Sequence, residues 1–312
     1  MSNSAKLLAL TILASTLGLS ACQPKADPEP AKPEASAVET AKLPSLEGEI
    51  VKLQLVLPEC EGHSCPEISI ERLQSNQPFI DQVIDQEILK QLQQTLDLAP
   101  QDQQAASEPA SAIAASATVA EASVPATPQQ NLETQVQPYL RTFLQLDQEL
   151  KQLGASHSIN LMVKPKILIA QSPVATVVMN SSSYLGGAHG SAAQQYYNFD
   201  LKQQRQLQLQ DILQPNQRAA LRQEAHRIFQ RWVVDSKLAT SVEEYEQVWP
   251  FQLSDNFFLS QQGLILQYGE YEIGPYVVGL PRLVVPYEKL QKILKPQYLP
   301  QAAKAADKKA AS

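Results

Sequence analysis

Ser181 to Leu201 reads SSSYLGGAHGSAAQQYYNFDL, placing His189 among Gly186, Gly187 and Gly190, with Ser181, Ser182, Ser183 and Ser191 nearby and Asp200 and Asp211 further on. Imidazole, hydroxyl and carboxylate are the groups of nucleophilic hydrolysis, in which the ring takes the hydroxyl's proton and the carboxylate orients the ring. The same letters describe a polar connection between two strands, where glycine supplies backbone freedom and serine supplies local hydrogen bonds. Three readings of His189 follow, in descending weight: a structural corner, a recognition residue on an exposed loop, and a catalytic base.

The tyrosines point more directly to binding. All but Tyr139 lie after Asn180, and tyrosine offers rigid contact area to proteins and a face on which sugars stack. The candidate surface comprises Tyr184, His189, Tyr196, Tyr268, Glu270, Tyr271, Glu272 and Tyr276. Its centre is EYEIGPY, where acids alternate with aromatics on an irregular segment. The remaining histidines, His63, His157 and His226, form no i, i+4 pair and no HExxH motif with His189 or with one another, so neither a metal centre nor a cofactor is expected.

Lys6 precedes LLALTILASTLGL, an apolar run too short to remain as a membrane span, which predicts an export signal over 1–21. It ends in Leu19-Ser20-Ala21-Cys22, which resembles a bacterial lipoprotein box with Cys22 as the lipidated residue. An ordinary secretory signal with an incidental cysteine is the alternative. Gln23 stands where lipoproteins kept in the inner membrane often carry Asp, so the resemblance favours the outer membrane, facing the periplasm. In that oxidising compartment Cys60 and Cys65, in LPECEGHSCPE, are expected to form a disulfide. A metal site using His63 would lack a fourth ligand.

The chain carries a formal charge of −7, which argues against nucleic acid and anionic lipid and favours a cationic partner. Residues 22–45, rich in Pro, Ala and charge, predict a disordered tether. Alternation in EIVKLQLVL and EISIERL predicts two strands, with Val51, Leu53, Leu55 and Leu57 on one face. Ile80, Ile84, Ile88, Leu92 and Leu96 recur every fourth residue and predict a core-facing helix. A low-complexity insertion covers about 99–130, followed by a second helix with Val136, Leu140, Phe143, Leu146, Leu150 and Leu153 on one side, able to pack on the first as a hairpin. Further strands are expected in 158–185, QQYYNFDL and RQLQLQDIL, and in a hairpin about Gly263. Helices are expected in 216–236 and 241–249, and a last one begins at Pro286; 297–312 reads as a disordered tail.

Strands and helices in groups, without strict alternation, define an α+β fold of mainly antiparallel sheets packed with helices, in two subdomains, 46–180 and 181–296. The GGAHG corner, the NFDL and QLQLQDIL pair and the close YEIGPYVVGLPRLVVPYEKL resemble, in order and spacing, the RsiV-like family, the lysozyme-sensing extracellular domains of anti-sigma factors. LPECEGHSCPEISIERL and the helix after it are similar to the companion domain that precedes it, and that also precedes the catalytic domain of PdaC peptidoglycan deacetylases. The resemblance spans about Glu49 to Leu294. This chain has KQQRQ where the family often has a glycine after NFDL, so a longer or differently shaped turn is expected there. No sigma-binding segment or deacetylase module accompanies the domain, so neither activity is expected.

The resemblance implies a non-enzymatic recognition module that binds or inhibits lysozyme or a similar cationic hydrolase. A peptidoglycan-binding envelope lipoprotein is the alternative, and an enzyme acting on the wall the third reading.

Overall fold

A computed structural model describes residues 44–60, 64–96, 125–154 and 158–300. The expected signal peptide, Cys22, nearly all of the tether, most of the insertion, His63, His157 and residues 301–312 lie outside the described residues. The fold is α+β, with a six-stranded sheet, a three-stranded sheet and six α-helices among the described residues.

The larger sheet follows chain order: β1 (Gly48–Lys52), β2 (Glu67–Ser75), β3 (Asn160–Ile169), β4 (Ala175–Tyr184), β5 (Ser191–Asp200) and β6 (Arg205–Leu207). Every neighbouring pair is antiparallel except β2 and β3. Parallel neighbours require a crossover, and α1 (Pro78–Leu96) and α2 (Pro128–Gln152) supply it. The Cys60–Cys65 disulfide closes the connection from β1 to β2, its Cα atoms 5.8 Å apart. β1 is shorter than expected: it ends at Lys52, so that Leu53 is buried but Leu57 is exposed.

Ile80, Ile84, Ile88 and Leu92 are fully buried, as the four-residue period requires, against Ile70, Leu161, Val163 and Val177 of the sheet. Thr127 caps α2, its hydroxyl accepting from the Gln130 N–H while the Gln130 side chain accepts from the Thr127 N–H. Residues 128–130, expected within the insertion, are therefore its first turn. Leu153 is exposed, beyond the end of the helix.

The two helices do not form the antiparallel hairpin. α1 starts with Phe79 against Phe199, ring centroids 5.9 Å apart, and passes Tyr197, whose hydroxyl donates to Glu87. It thus runs towards the β4–β5 turn, and α2 also ends there, with Leu150 against Gly186. Helices running in the same sense need a connection able to return along a helix length, about 28 Å for α1.

A second core lies beneath α4 (Arg218–Asp235) and α5 (Val242–Val248). Leu221, Ala225, Phe229 and Val233 of α4 pack on the smaller antiparallel sheet of β7 (Phe257–Leu259), β8 (Gly263–Gln267) and β9 (Arg282–Pro286). Expected strand RQLQLQDIL is extended only over β6. Leu209–Ile212 coils into α3 because the Asp211 carboxylate accepts the Gln208 N–H at 2.8 Å and caps the turn. The KQQRQ turn is made without glycine: Asp200 accepts the N–H groups of Lys202 and Gln203, and Gln204 takes a left-handed conformation (φ 50°). The last helix, α6 (Tyr287–Leu290), follows Pro286 as expected. Tyr298 and Leu299, in the stretch expected to be tail, are buried. The buried apolar residues form two clusters, one drawn from 46–201 and one from 174–299, while Ser181 lies inside β4 and the sheet runs through it.

A cavity of about 830 Å³ lies between the opening turns of α1 and α2, and Arg72 and Asp85 line it. Arg72, 3% exposed, donates to both Asp85 oxygens, from Nε at 3.2 Å and Nη2 at 2.8 Å. Burial pushes the Asp85 carboxyl above its usual range, although the Arg72 guanidinium pulls it down. Removing the arginine strands a half-buried carboxylate, so Arg72→Ala is expected to cost about 3 kcal/mol, seen as a lower urea midpoint.

Candidate functional site

The surface candidates are positioned by the way the two sheets are joined. Asn256, just before β7, donates from Nδ2 to the Gln194 carbonyl at 2.7 Å and accepts the Tyr196 N–H at 2.9 Å. A carboxamide carries a donor and an acceptor side by side, so Asn256 pairs with β5 much as another strand would. Two residues along, the buried Asn198 side chain donates to the Phe257 carbonyl at 2.7 Å and accepts from Thr176 at 2.9 Å. Arg282 on β9 donates to Gln267, Gln194 and the Tyr196 hydroxyl.

This junction brings the 268–281 loop, between β8 and β9, onto the 185–190 turn between β4 and β5. Three contacts clasp the two. The Glu270 carboxylate accepts the Ser191 hydroxyl at 3.0 Å and the Ala192 N–H at 2.9 Å. The Tyr276 hydroxyl donates to the Gly190 carbonyl at 2.9 Å. The Tyr271 hydroxyl lies 3.1 Å from His189 Nε2. Gly186 supplies a left-handed corner (φ 87°) directly against Leu150. Gly274 is required by crowding, since a Cβ there would stand 2.7 Å from the Tyr245 hydroxyl.

His189 lies in the turn between β4 and β5, with added aromatic contacts. Its Nδ1 faces the Gly190 carbonyl, an oxygen that can only accept, at 3.0 Å, and its Nε2 lies 3.1 Å from the Tyr271 hydroxyl. Its ring stacks on Tyr276 with centroids 4.0 Å apart and planes 23° from parallel. Ser191 donates to Glu270, not to the imidazole.

Tyr271 has φ 62°, a left-handed backbone that costs a non-glycine residue roughly 1 kcal/mol. Glu272 supports it by accepting the Gly269 N–H, closing a tight turn that throws the Tyr271 ring outward. That ring lies 5.8 Å from Tyr276 and 6.5 Å from Trp249. Tyr271 is 49% exposed, Tyr276 36%, Val277 86% and Val248 68%. His189, Glu270, Tyr271, Glu272 and Tyr276 thus share one face of the molecule.

The other candidates stand apart. Tyr196 is buried, stacked on Phe258 at 4.5 Å, and burial raises its phenol above the ordinary value. Tyr268 is buried too, donating to the Gln252 carbonyl at 2.9 Å, and burial carries its phenol well above the usual range. Tyr184 is half-buried at the end of β4 beside Gly190. Trp249 and Val248 were not singled out from sequence; the signal was there in QVWPF, a bulky apolar pair at the end of a short helix followed by proline.

The site is that of an α+β protein in which two sheets hold an exposed aromatic surface between their loops. Residues 210–288 match the family described as "Protein of unknown function (DUF3298)", a stretch that contains Trp249 and the 268–281 loop but not His189. A DUF3298 family protein from Pseudomonas aeruginosa PAO1 has a similar structure, with 23% identity, a TM-score of 0.56 and coverage of 83% of this chain and 97% of that one. A DUF3298 family member from Bacteroides fragilis is similar at 16% identity and a TM-score of 0.52, over 81% of this chain and 94% of its own. At these identities the likeness is one of fold. No curated protein matches the chain.

If Glu270 is the clasp, Glu270→Ala should cost about 1–2 kcal/mol of stability. Amide exchange at Ala192 should rise with it, while the β3–β4 amides stay protected.

Proposed function

We propose that this protein is a non-enzymatic recognition module of the bacterial cell envelope, docking a cationic protein such as lysozyme or a similar wall hydrolase on the face built by Trp249, Tyr271 and Tyr276. The observation that carries the reading is an apolar patch in which the exposed Tyr271 and Tyr276 meet the half-buried Trp249, with the exposed Val248 and Val277 next to Trp249 and Tyr276 in the chain. Exposed aromatics on a rigid frame are the anatomy of a protein hot spot. Valines offer nothing to a stacked sugar, which weighs for a protein partner over glycan at this face.

Glu270 and Glu272 lie in the patch's loop, and Glu243 and Glu244 lie on α5, the helix that ends at Trp249; these carboxylates, with a formal charge of −7 over the whole chain, favour encounter with a cationic protein. The likeness of the GGAHG and YEIGPY segments to the RsiV-like family gives the expectation of lysozyme its direction. Recognition is favoured over catalysis because both His189 nitrogens and the Ser191 hydroxyl are occupied by structural partners. The Leu19–Cys22 segment supports lipidation at Cys22 and a place on the outer membrane facing the periplasm.

The test is titration with lysozyme, following binding and lytic activity. Saturable binding should weaken sharply near about 1 M salt, where screening acts within about 3 Å. Val277 makes no contact that folding needs, so Val277→Arg should preserve stability while lowering affinity about tenfold or more, from lost apolar contact and added like charge. Affinity equal to that of the unsubstituted protein would remove the patch from the interface, and absence of binding would remove lysozyme.

A further inference from the structure

The three rings of the patch come from chain that carries neither lysine nor arginine. No Lys or Arg stands between Lys237 and Arg282, or between Lys166 and Lys202, whereas 238–281 holds Glu243, Glu244, Glu246, Asp255, Glu270 and Glu272. α5, Trp249, the 185–190 turn and the 268–281 loop all belong to these two stretches. Arg282, at the boundary, spends its guanidinium on Gln267, Gln194 and the Tyr196 hydroxyl. The patch is built from aromatics and acids, and its own segments bring it no guanidinium or ammonium.

Elsewhere the chain supplies a cation to a ring itself: the Arg222 guanidinium stands 5.8 Å from the centre of the Phe251 ring. Among the described residues no Lys or Arg does the same for Trp249, Tyr271 or Tyr276. The face of an aromatic ring is electron-rich and attracts a cation within about 6 Å of its centre. Tyr271 lies 6.5 Å from Trp249 and 5.8 Å from Tyr276, with planes 26° and 31° from parallel. One cation can therefore lie within about 6 Å of two of these centres at once.

The shape of that cation follows from the carboxylates that remain free. Asp255 is taken by Arg218, Glu246 by His226, and Glu270 by Ser191 and Ala192. Glu272, exposed and next to Tyr271 in the chain, uses Oε2 on the Gly269 N–H, and its Oε1 accepts no hydrogen bond among the described residues. A guanidinium is flat enough to lie on a ring and carries its donors in its own plane, so it reaches a carboxylate while staying stacked. An ammonium is a compact, strongly hydrated point charge without that plane.

We infer that the patch is a receptor for an arginine side chain of the partner, its guanidinium stacked on Tyr271 and Trp249 and donating to Glu272 Oε1. The inference rests on the reading of this face as the docking surface for a cationic protein, and it names the group on that protein which the face selects.

The experiment titrates the full chain with acetyl-Gly-Arg-Gly-amide, and with the same peptide carrying lysine or citrulline, following the Trp249 indole N–H and the Tyr271 amide by NMR. Citrulline keeps the shape of arginine without its charge. Saturable shifts at both groups are expected in the millimolar range for the arginine peptide, with lysine at least about threefold and citrulline at least about tenfold weaker. Glu272→Gln keeps an acceptor for the Gly269 N–H and should weaken the arginine peptide about threefold or more with the fold intact. Tyr271→Leu keeps apolar bulk, removes the ring and should erase the preference for arginine over citrulline. Equal affinity for the arginine and citrulline peptides, or undiminished arginine binding by the folded variants, would overturn the inference. Lysozyme is titrated in parallel. Its binding at the patch without arginine selectivity would overturn the arginine site and leave the docking face, whereas arginine selectivity without lysozyme binding would support the site and remove lysozyme as the partner.

Discussion

Two asparagine side chains, Asn198 and Asn256, register the smaller sheet on the larger one, and the exposed surface depends on that registration. Backbone groups at a sheet-to-sheet junction would otherwise be buried without partners, at a cost of a few kcal/mol each. Asn198 satisfies the Phe257 carbonyl and Asn256 satisfies the backbone at Gln194 and Tyr196. A polar junction of this kind tolerates only one register, because a slip by one residue leaves both donors and acceptors unmet. That specificity allows two loops some eighty residues apart in sequence to meet through single hydrogen bonds.

The meeting of those loops is organised for exposure, not for burial. Tyr271 accepts a left-handed backbone, and Val248 and Val277 stand in solvent, although each of these choices works against stability. Strain and exposed apolar area that persist in a well-determined frame are a reason to look for binding. The contrast with the first core is instructive: Ile80, Ile84, Ile88 and Leu92 are spent wholly on burial, and nothing about that helix suggests a ligand. The cavity of about 830 Å³ lies there, away from the aromatic face, lined by an ion pair in which Arg72 meets both Asp85 oxygens. Size alone is a weaker guide than the combination of rigid aromatics and exposure.

Much of the fold was legible because its signals are local. The four-residue apolar period of α1, the stop at Gly154, the Gly263 hairpin and the break before Pro286 each follow from a few neighbouring side chains. The errors arise where one local pattern overrides another or meets a distant constraint. RQLQLQDIL alternates like a strand, yet Asp211 caps a helical turn there. α1 and α2 look like a hairpin, yet the parallel pairing of β2 with β3 makes them run in the same sense. Tyr196 and Tyr268 resemble Tyr271 and Tyr276 in sequence and separate only because the second core and the neighbouring sheet cover the former pair.

By itself, then, the sequence determined the α+β class, the apolar helix faces, the pairing of Cys60 with Cys65, and the two segments, GGAHG and EYEIGPY, that supply the surface. These follow from periodicity and from residue chemistry acting over a few positions. Only the tertiary structure decided that the two segments touch, that Trp249 joins them, that His189 spends its nitrogens on Gly190 and Tyr271, and which tyrosines face water. Those outcomes depend on the register between two sheets, and register is set by hydrogen bonds between residues such as Asn256 and Gln194 that are some sixty positions apart, beyond the reach of any local pattern.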